Sequence, residues 1–184
     1  MDNLFTKKNI LTIPNLLSLL RILMIPVIVW LYINEKNYRA ATAMIILSGL
    51  TDVADGIIAR KLNMVSDFGK ILDPIADKLT QCTLIICLSL KYPKMVWLIT
   101  LFVAKEFVMA LLGYITIKTT DSVNSAKWYG KLSTFVLYAS MILMVLIPDL
   151  PLTIVNILII LCAAILCLSL AMYTRFYVKI LCRG

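Results

Sequence analysis

The 184-residue chain contains no histidine at all. That absence excludes the Ser/His and Cys/His nucleophile schemes and the usual imidazole metal sites, so any acid-base work falls to carboxylates. Carboxylates are themselves few, with ten Asp and Glu against 18 Lys and Arg. Glycine and proline are sparse at six each, and neither a low-complexity segment nor an internal repeat is present. Many secondary transporters carry repeated halves, and this pattern is missing here. Five cysteines occur, and Cys82, Cys87, Cys162 and Cys167 stand in apolar runs without the close pairing of zinc sites, so they read as packing residues.

What fills the chain instead is apolar side chains, at 61% of residues. Ordinary soluble domains carry roughly 45–50%. Several apolar runs reach the roughly 20 residues a helix needs to cross a bilayer core, and none alternates as a barrel strand would. The expected fold is all-α, a six-helix transmembrane bundle forming one domain over residues 1–184. The spans fall at about residues 16–33, 39–60, 68–90, 96–117, 131–146 and 152–173. Turn residues at 34–37, 91–94, 119–124 and 148–151 separate them. Ahead of the first span, Leu4, Phe5, Ile10 and Leu11 beside Lys7 and Lys8 suggest a short interfacial helix. A cleavable signal peptide is not expected, because no small-residue cleavage site follows the first run, which contains Arg21 and Pro26.

Basic residues near span ends accumulate on the cytoplasmic side. With the N-terminus inside, eleven of the 18 fall there, including Lys7, Lys8, Arg60, Lys61, Lys118 and Arg175. Only Lys36, Arg39, Lys91 and Lys94 fall opposite, while Arg21, Lys78 and Lys105 lie within spans. Both termini are therefore expected in the cytoplasm. The formal charge of +8 reads as topology and attraction to anionic membrane lipids, and nucleic acid is not an expected partner.

The segment from Asp52 to Asp77 reads DVADGIIARKLNMVSDFGKILDPIAD, placing four aspartates in two adjacent spans. An ionised Asp within a bilayer costs a few kcal/mol on insertion scales, so such residues usually face a wet cavity and mark a functional site. Asp52 and Asp55 are three apart and Asp73 and Asp77 four apart, so each pair shares a helical face. The two spans run antiparallel. At about 1.5 Å per residue, Asp55 and Asp73 each lie roughly 6–7 Å from the cytoplasmic ends and Asp52 and Asp77 roughly 12 Å. All four can meet in one cavity open to the cytoplasm. An oxygen-only ligand set favours magnesium or manganese, with substrate phosphates completing the shell. Gly56 and Gly69 would admit a ligand close to the backbone, or serve helix packing; Arg60 would hold a phosphate, or anchor the span. Buried carboxylates alone also fit a cation- or proton-coupled transporter.

Together these residues form Asp52-x-x-Asp55-Gly56-x-x-Ala59-Arg60, eight residues, then Gly69-x-x-x-Asp73-x-x-x-Asp77. This resembles the full signature of the CDP-alcohol phosphotransferases, which transport does not explain. The resemblance implies two divalent cations, magnesium or manganese, on Asp52, Asp55, Asp73 and Asp77, with Asp77 also the catalytic base. It implies contacts to the CDP-lipid from Gly56, Ala59, Arg60 and Gly69. The run Pro14-Asn15-Leu-Leu-Ser18-Leu-Leu-Arg21 is similar to the family's entry to its first span and adds Asn15 and Arg21. The implied reaction is phosphatidyl transfer from CDP-diacylglycerol to an alcohol with release of CMP, a step of phospholipid biosynthesis, in a homodimer of a bacterial cell membrane.

For the acceptor, Lys105 and Lys131 are candidates, Lys105 having internal pairing with Glu106 as its alternative. Ala104-Lys105-Glu106-Phe107 and Gly130-Lys131-Leu-Ser-Thr134 are similar to segments of bacterial phosphatidylglycerophosphate synthases, implying glycerol 3-phosphate. Those enzymes carry Arg where Lys105 and Gly113 stand and Lys where Ser133 stands. A cardiolipin synthase using phosphatidylglycerol is the alternative.

Overall fold

The computed structural model describes residues 12–61, 67–120 and 127–182, without the side chains of residues 59, 60, 67, 68, 70, 117 and 120. The expected interfacial helix falls outside the described residues. All regular structure among those described is helical: α1 Ile13–Ile33, α2 Tyr38–Lys61, α3 Asp67–Lys91, α4 Met95–Thr120, α5 Trp128–Leu146 and α6 Leu152–Leu181. In lipid, every backbone N–H and C=O needs an internal partner, which a helix supplies. Hydroxyls follow the same logic: Thr42, Thr80, Thr116 and Thr174 each donate to the carbonyl four residues back.

The ends follow local chemistry. Pro14 sits in the first turn of α1, where its missing N–H would have had no helical acceptor. The turn to α2 closes through Lys36, whose φ of 51° is left-handed, and through Asn37, whose side chain accepts from Ala40 N at 3.1 Å. Every helix runs past at least one expected end, α1 and α4 by three residues. α5 begins at Trp128 rather than 131, and α6 continues to Leu181 rather than stopping at 173. Past Tyr173 no glycine or proline intervenes up to Leu181, so nothing breaks the hydrogen-bond ladder when the chain turns less apolar.

Five of the helices, all but α3, are long and apolar enough to cross a membrane. Helix α3 has 25 residues, about 37 Å at 1.5 Å each, but its first half carries Asp67, Lys70, Asp73, Asp77 and Lys78. Its length suits a span and its composition is that of a site. Side chains on the membrane helices point outward all round, among them Leu50, Phe107, Phe135 and Ile160, as expected of helices whose solvent is lipid.

The chain forms two compact units, Met1–Cys87 with Val145–Pro148, and Leu88–Met144 with Asp149–Gly184. In the first, α1 packs against α2, and Met24, Ile28, Tyr32, Ala41, Ile45 and Ala76 are buried. In the second, α4 packs against α6, and Tyr129, Tyr173 and Tyr177 form a buried aromatic cluster with Met109, Leu112 and Phe176 against it. Tyr129 and Tyr173 meet edge-on at 4.5 Å between ring centroids. The Tyr173 hydroxyl accepts from Lys127 N at 3.2 Å, and the Lys127 ammonium lies 4.4 Å over the Phe176 ring.

Candidate active site

Helix α1 presents Pro14, Asn15, Ser18, Arg21, Met24 and Ile28 inward at spacings of three to four, while Leu16, Leu19, Leu20 and Leu23 face out. The middle of that inward stripe is polar. Its centre is Arg21, only 1% exposed. Nη1 of Arg21 lies 2.5 Å from a carboxylate oxygen of Asp52, and Nη2 lies 2.5 Å from Asp55 and 3.2 Å from Asp73. Ser18 Oγ stands 3.4 Å from both Asp55 and Asp73 and 3.1 Å from the Pro14 carbonyl. Its single proton serves one of these at a time. Three helices thus converge on one charged cluster.

The cluster is graded in depth. Asp55 is buried with a side chain 3% exposed, whereas those of Asp52 and Asp73 are 42% and 43% exposed. With one carboxylate buried and two half-exposed, the charges in these apolar helices stay partly solvated. Pro74 follows Asp73 and removes the N–H that would reach the Lys70 carbonyl, loosening α3 beside its carboxylate.

Asp52, Asp55 and Asp73 offer oxygens all within 4.8 Å of one another. On a six-coordinate magnesium, neighbouring oxygens stand about 3 Å apart and opposite ones about 4.2 Å, so the three carboxylates would draw closer by side-chain rotation to share one ion. The donor set fits a hard divalent cation. Asp77 stands one turn further along α3, near enough for its charge to act on Asp52. It is not one of the three converging carboxylates. Gln81 Nε2 reaches both Asp77 oxygens at 3.2 and 3.1 Å, and Lys78 Nζ lies 3.8 Å away.

The remaining expected residues divide by element. Asn15 is buried on α1, while Gly56, Ala59 and Arg60 follow Asp55 on α2 and Gly69 lies one turn before Asp73 on α3. The Ala59 and Arg60 side chains are outside the described set. Lys105 and Lys131 belong to the second unit. Lys105 is 4% exposed and ion-paired with Glu106 at 2.7 Å, the internal pairing that the sequence left as an alternative. Lys131 is exposed at the start of α5. Ser18 and Gln81 were not expected at the site. The signal for Ser18 was present, since Asn15, Ser18 and Arg21 repeat every three residues in an otherwise apolar run.

Acidic side chains gathered around a buried arginine within apolar helices define a helical membrane protein with a charged cluster at its centre. The chain belongs to the CDP-alcohol phosphatidyltransferase family, whose profile matches residues 11–176. A cardiolipin synthase (CMP-forming)/mitochondrial hydrolase fusion protein of Schizosaccharomyces pombe is 36% identical over 114 residues, 61% of this chain and 19% of that protein. A Mycobacterium tuberculosis protein provisionally named cardiolipin synthase is 30% identical over 137 residues, 73% of this chain and 65% of its own length. A CDP-diacylglycerol–glycerol-3-phosphate 3-phosphatidyltransferase of Rickettsia bellii is 44% identical over 100 residues, 53% of this chain and 55% of the relative. The chain thus spans less than two thirds of each of these relatives.

Proposed function

We propose that this protein transfers the phosphatidyl group of CDP-diacylglycerol to glycerol 3-phosphate, forming phosphatidylglycerophosphate and releasing CMP. The observation that carries this reading is the convergence of Asp52, Asp55 and Asp73, the first and last half-exposed, on a chain of this family. The Rickettsia relative is named for this reaction.

In this reading Asp52, Asp55, Asp73 and Asp77 hold two divalent cations, magnesium or manganese. When bound, these would neutralise charge on the diphosphate as it departs. Asp77 takes the proton of the acceptor hydroxyl, whose oxygen then attacks the β-phosphorus as the bond to CMP breaks and CMP leaves with the electron pair. Gln81 donates to both Asp77 oxygens, which holds the carboxylate in one orientation for that transfer. Asn15, Arg21, Gly56, Ala59, Arg60 and Gly69 hold the CDP-lipid, and Lys105 and Lys131 the acceptor phosphate. The whole chain acts as one domain of six spans, with α3 as the polar third, in a bacterial cell membrane. Both termini and the site face the cytoplasm, and two copies form a homodimer.

A second reading, cardiolipin synthesis with phosphatidylglycerol as acceptor, is favoured by the Mycobacterium tuberculosis relative, matched over 73% of this chain. One assay separates the two. Purified protein is given CDP-diacylglycerol, manganese or magnesium, and either acceptor, and CMP release is followed. Release with glycerol 3-phosphate is expected. Release with phosphatidylglycerol alone establishes the second reading, and no release with any alcohol overturns both.

A further inference from the structure

The guanidinium of Arg21 is not arranged as a forked ion pair. Its Nε and Nη1 are buried without an aligned hydrogen-bond acceptor, although Nη1 is 2.5 Å from Asp52. A bidentate arginine would present two parallel N–H groups to one carboxylate. Here the cation instead lies among single oxygens of three carboxylates drawn from two other helices. The same three residues offer the oxygens that lie within 4.8 Å of one another. Arginine and divalent cation therefore compete for one group of ligands.

We propose that Arg21 is an exchangeable counter-ion, a positioning residue that holds the carboxylates together in the metal-free protein and gives them up as divalent cations load. The proposal rests on the metal-site reading above and adds the element that governs loading. Three carboxylates close together in apolar helices repel one another, and Asp55 among them is buried away from solvent. One guanidinium offsets one of their three charges, so the cluster stays folded and still attracts a divalent ion. The exchange needs no backbone movement, because the arginine side chain is long and rotatable while Asp52, Asp55 and Asp73 stay on their helices. Ser18, within reach of Asp55 and Asp73, remains to donate to one of them once the guanidinium withdraws.

The competing account makes Arg21 a permanent scaffold that stays in place when metal binds. Manganese binding followed by paramagnetic resonance, together with thermal unfolding in chelator and in manganese, separates the two accounts on the purified full chain. No substrate is needed. For Arg21→Gln the unfolding midpoint in chelator falls, the midpoint in manganese stays near that of wild type, and the gap between them widens. The manganese dissociation constant drops by about tenfold, since loading no longer sacrifices charge-assisted contacts. Arg21→Lys, which keeps the charge without the planar head, gives a smaller widening and remains informative if the glutamine variant does not fold in chelator. Weaker manganese binding in both variants, or equal falls in both midpoints, overturns the exchange and leaves the metal site standing. A wild-type protein that binds no manganese overturns the metal site and the exchange together.

Discussion

Two buried cations, one in each compact unit, solve the same problem in opposite ways. Lys105 on α4 is neutralised by its sequence neighbour Glu106 at 2.7 Å. Arg21 on α1 is neutralised by carboxylates 31, 34 and 52 residues away, on α2 and α3. The first pair can form whenever α4 forms. The second exists only when three helices have assembled, so it couples the site to the fold. A local pair makes a charge tolerable in a membrane helix, whereas a distributed cluster specifies which helices meet and at what depth.

The largest expected effect comes from chemistry at the distributed cluster. Asp77→Asn should lower CMP release by about 10²–10⁴-fold, the range for removing a general base, while manganese binding to the remaining carboxylates persists. Equal turnover in that variant removes Asp77 from the base role. Next comes stability. In chelator, Arg21→Ala should destabilise the protein by about 3–5 kcal/mol, as expected when one partner is taken from a buried ionic group. Replacing the local pair together, Lys105→Met with Glu106→Leu, should change stability by no more than about 1 kcal/mol or raise it. Comparable losses from the two changes, read by thermal or denaturant unfolding, would erase the contrast.

Smaller effects probe the aromatic unit. A Cβ at Gly130 would run into the Tyr173 hydroxyl, whereas one at Gly113 would stand 3.7 Å from that of Tyr177, an ordinary contact. Gly130→Ala should therefore cost about 1–3 kcal/mol through overpacking, and adding Tyr173→Phe should restore most of it. Gly113→Ala should be neutral or stabilise by up to about 1 kcal/mol from helix propensity. Smallest of all, Lys36→Gly should relieve about 1 kcal/mol of left-handed strain in the turn before α2.

Much of this was legible in the sequence, and unevenly. The four aspartates announced themselves because charge is rare in apolar spans, and helical periodicity paired them without tertiary information. Matching depths on antiparallel spans called for all four aspartates in one cavity; Asp52, Asp55 and Asp73 do converge, and Asp77 stands one turn further along α3. Arg21 was visible as a candidate for the lipid substrate, but not as the counter-ion of the cluster. That role depends on the rotation of α1 about its axis, which packing against α2 decides and no short-range pattern encodes. Gln81 was missed for a related reason, since a lone amide one turn beyond Asp77 looks like any polar residue until its face is known. Helix ends went astray where hydropathy fades but the backbone ladder continues, as in α6.

That overshoot in α6 acts as a depth gauge. Thirty residues make a rod of about 45 Å, against about 30 Å of hydrocarbon. The apolar stretch from Leu152 to Thr174 is about 34 Å long, enough to cross that hydrocarbon, and Arg175 and Lys179 follow it directly. Because neither cation enters hydrocarbon cheaply, they stop the helix from sinking, and the second unit rides at a draught set by α6. A thinner bilayer would have to tilt this rod or thicken around it, so bilayer thickness is an input to the protein's geometry as real as any ligand.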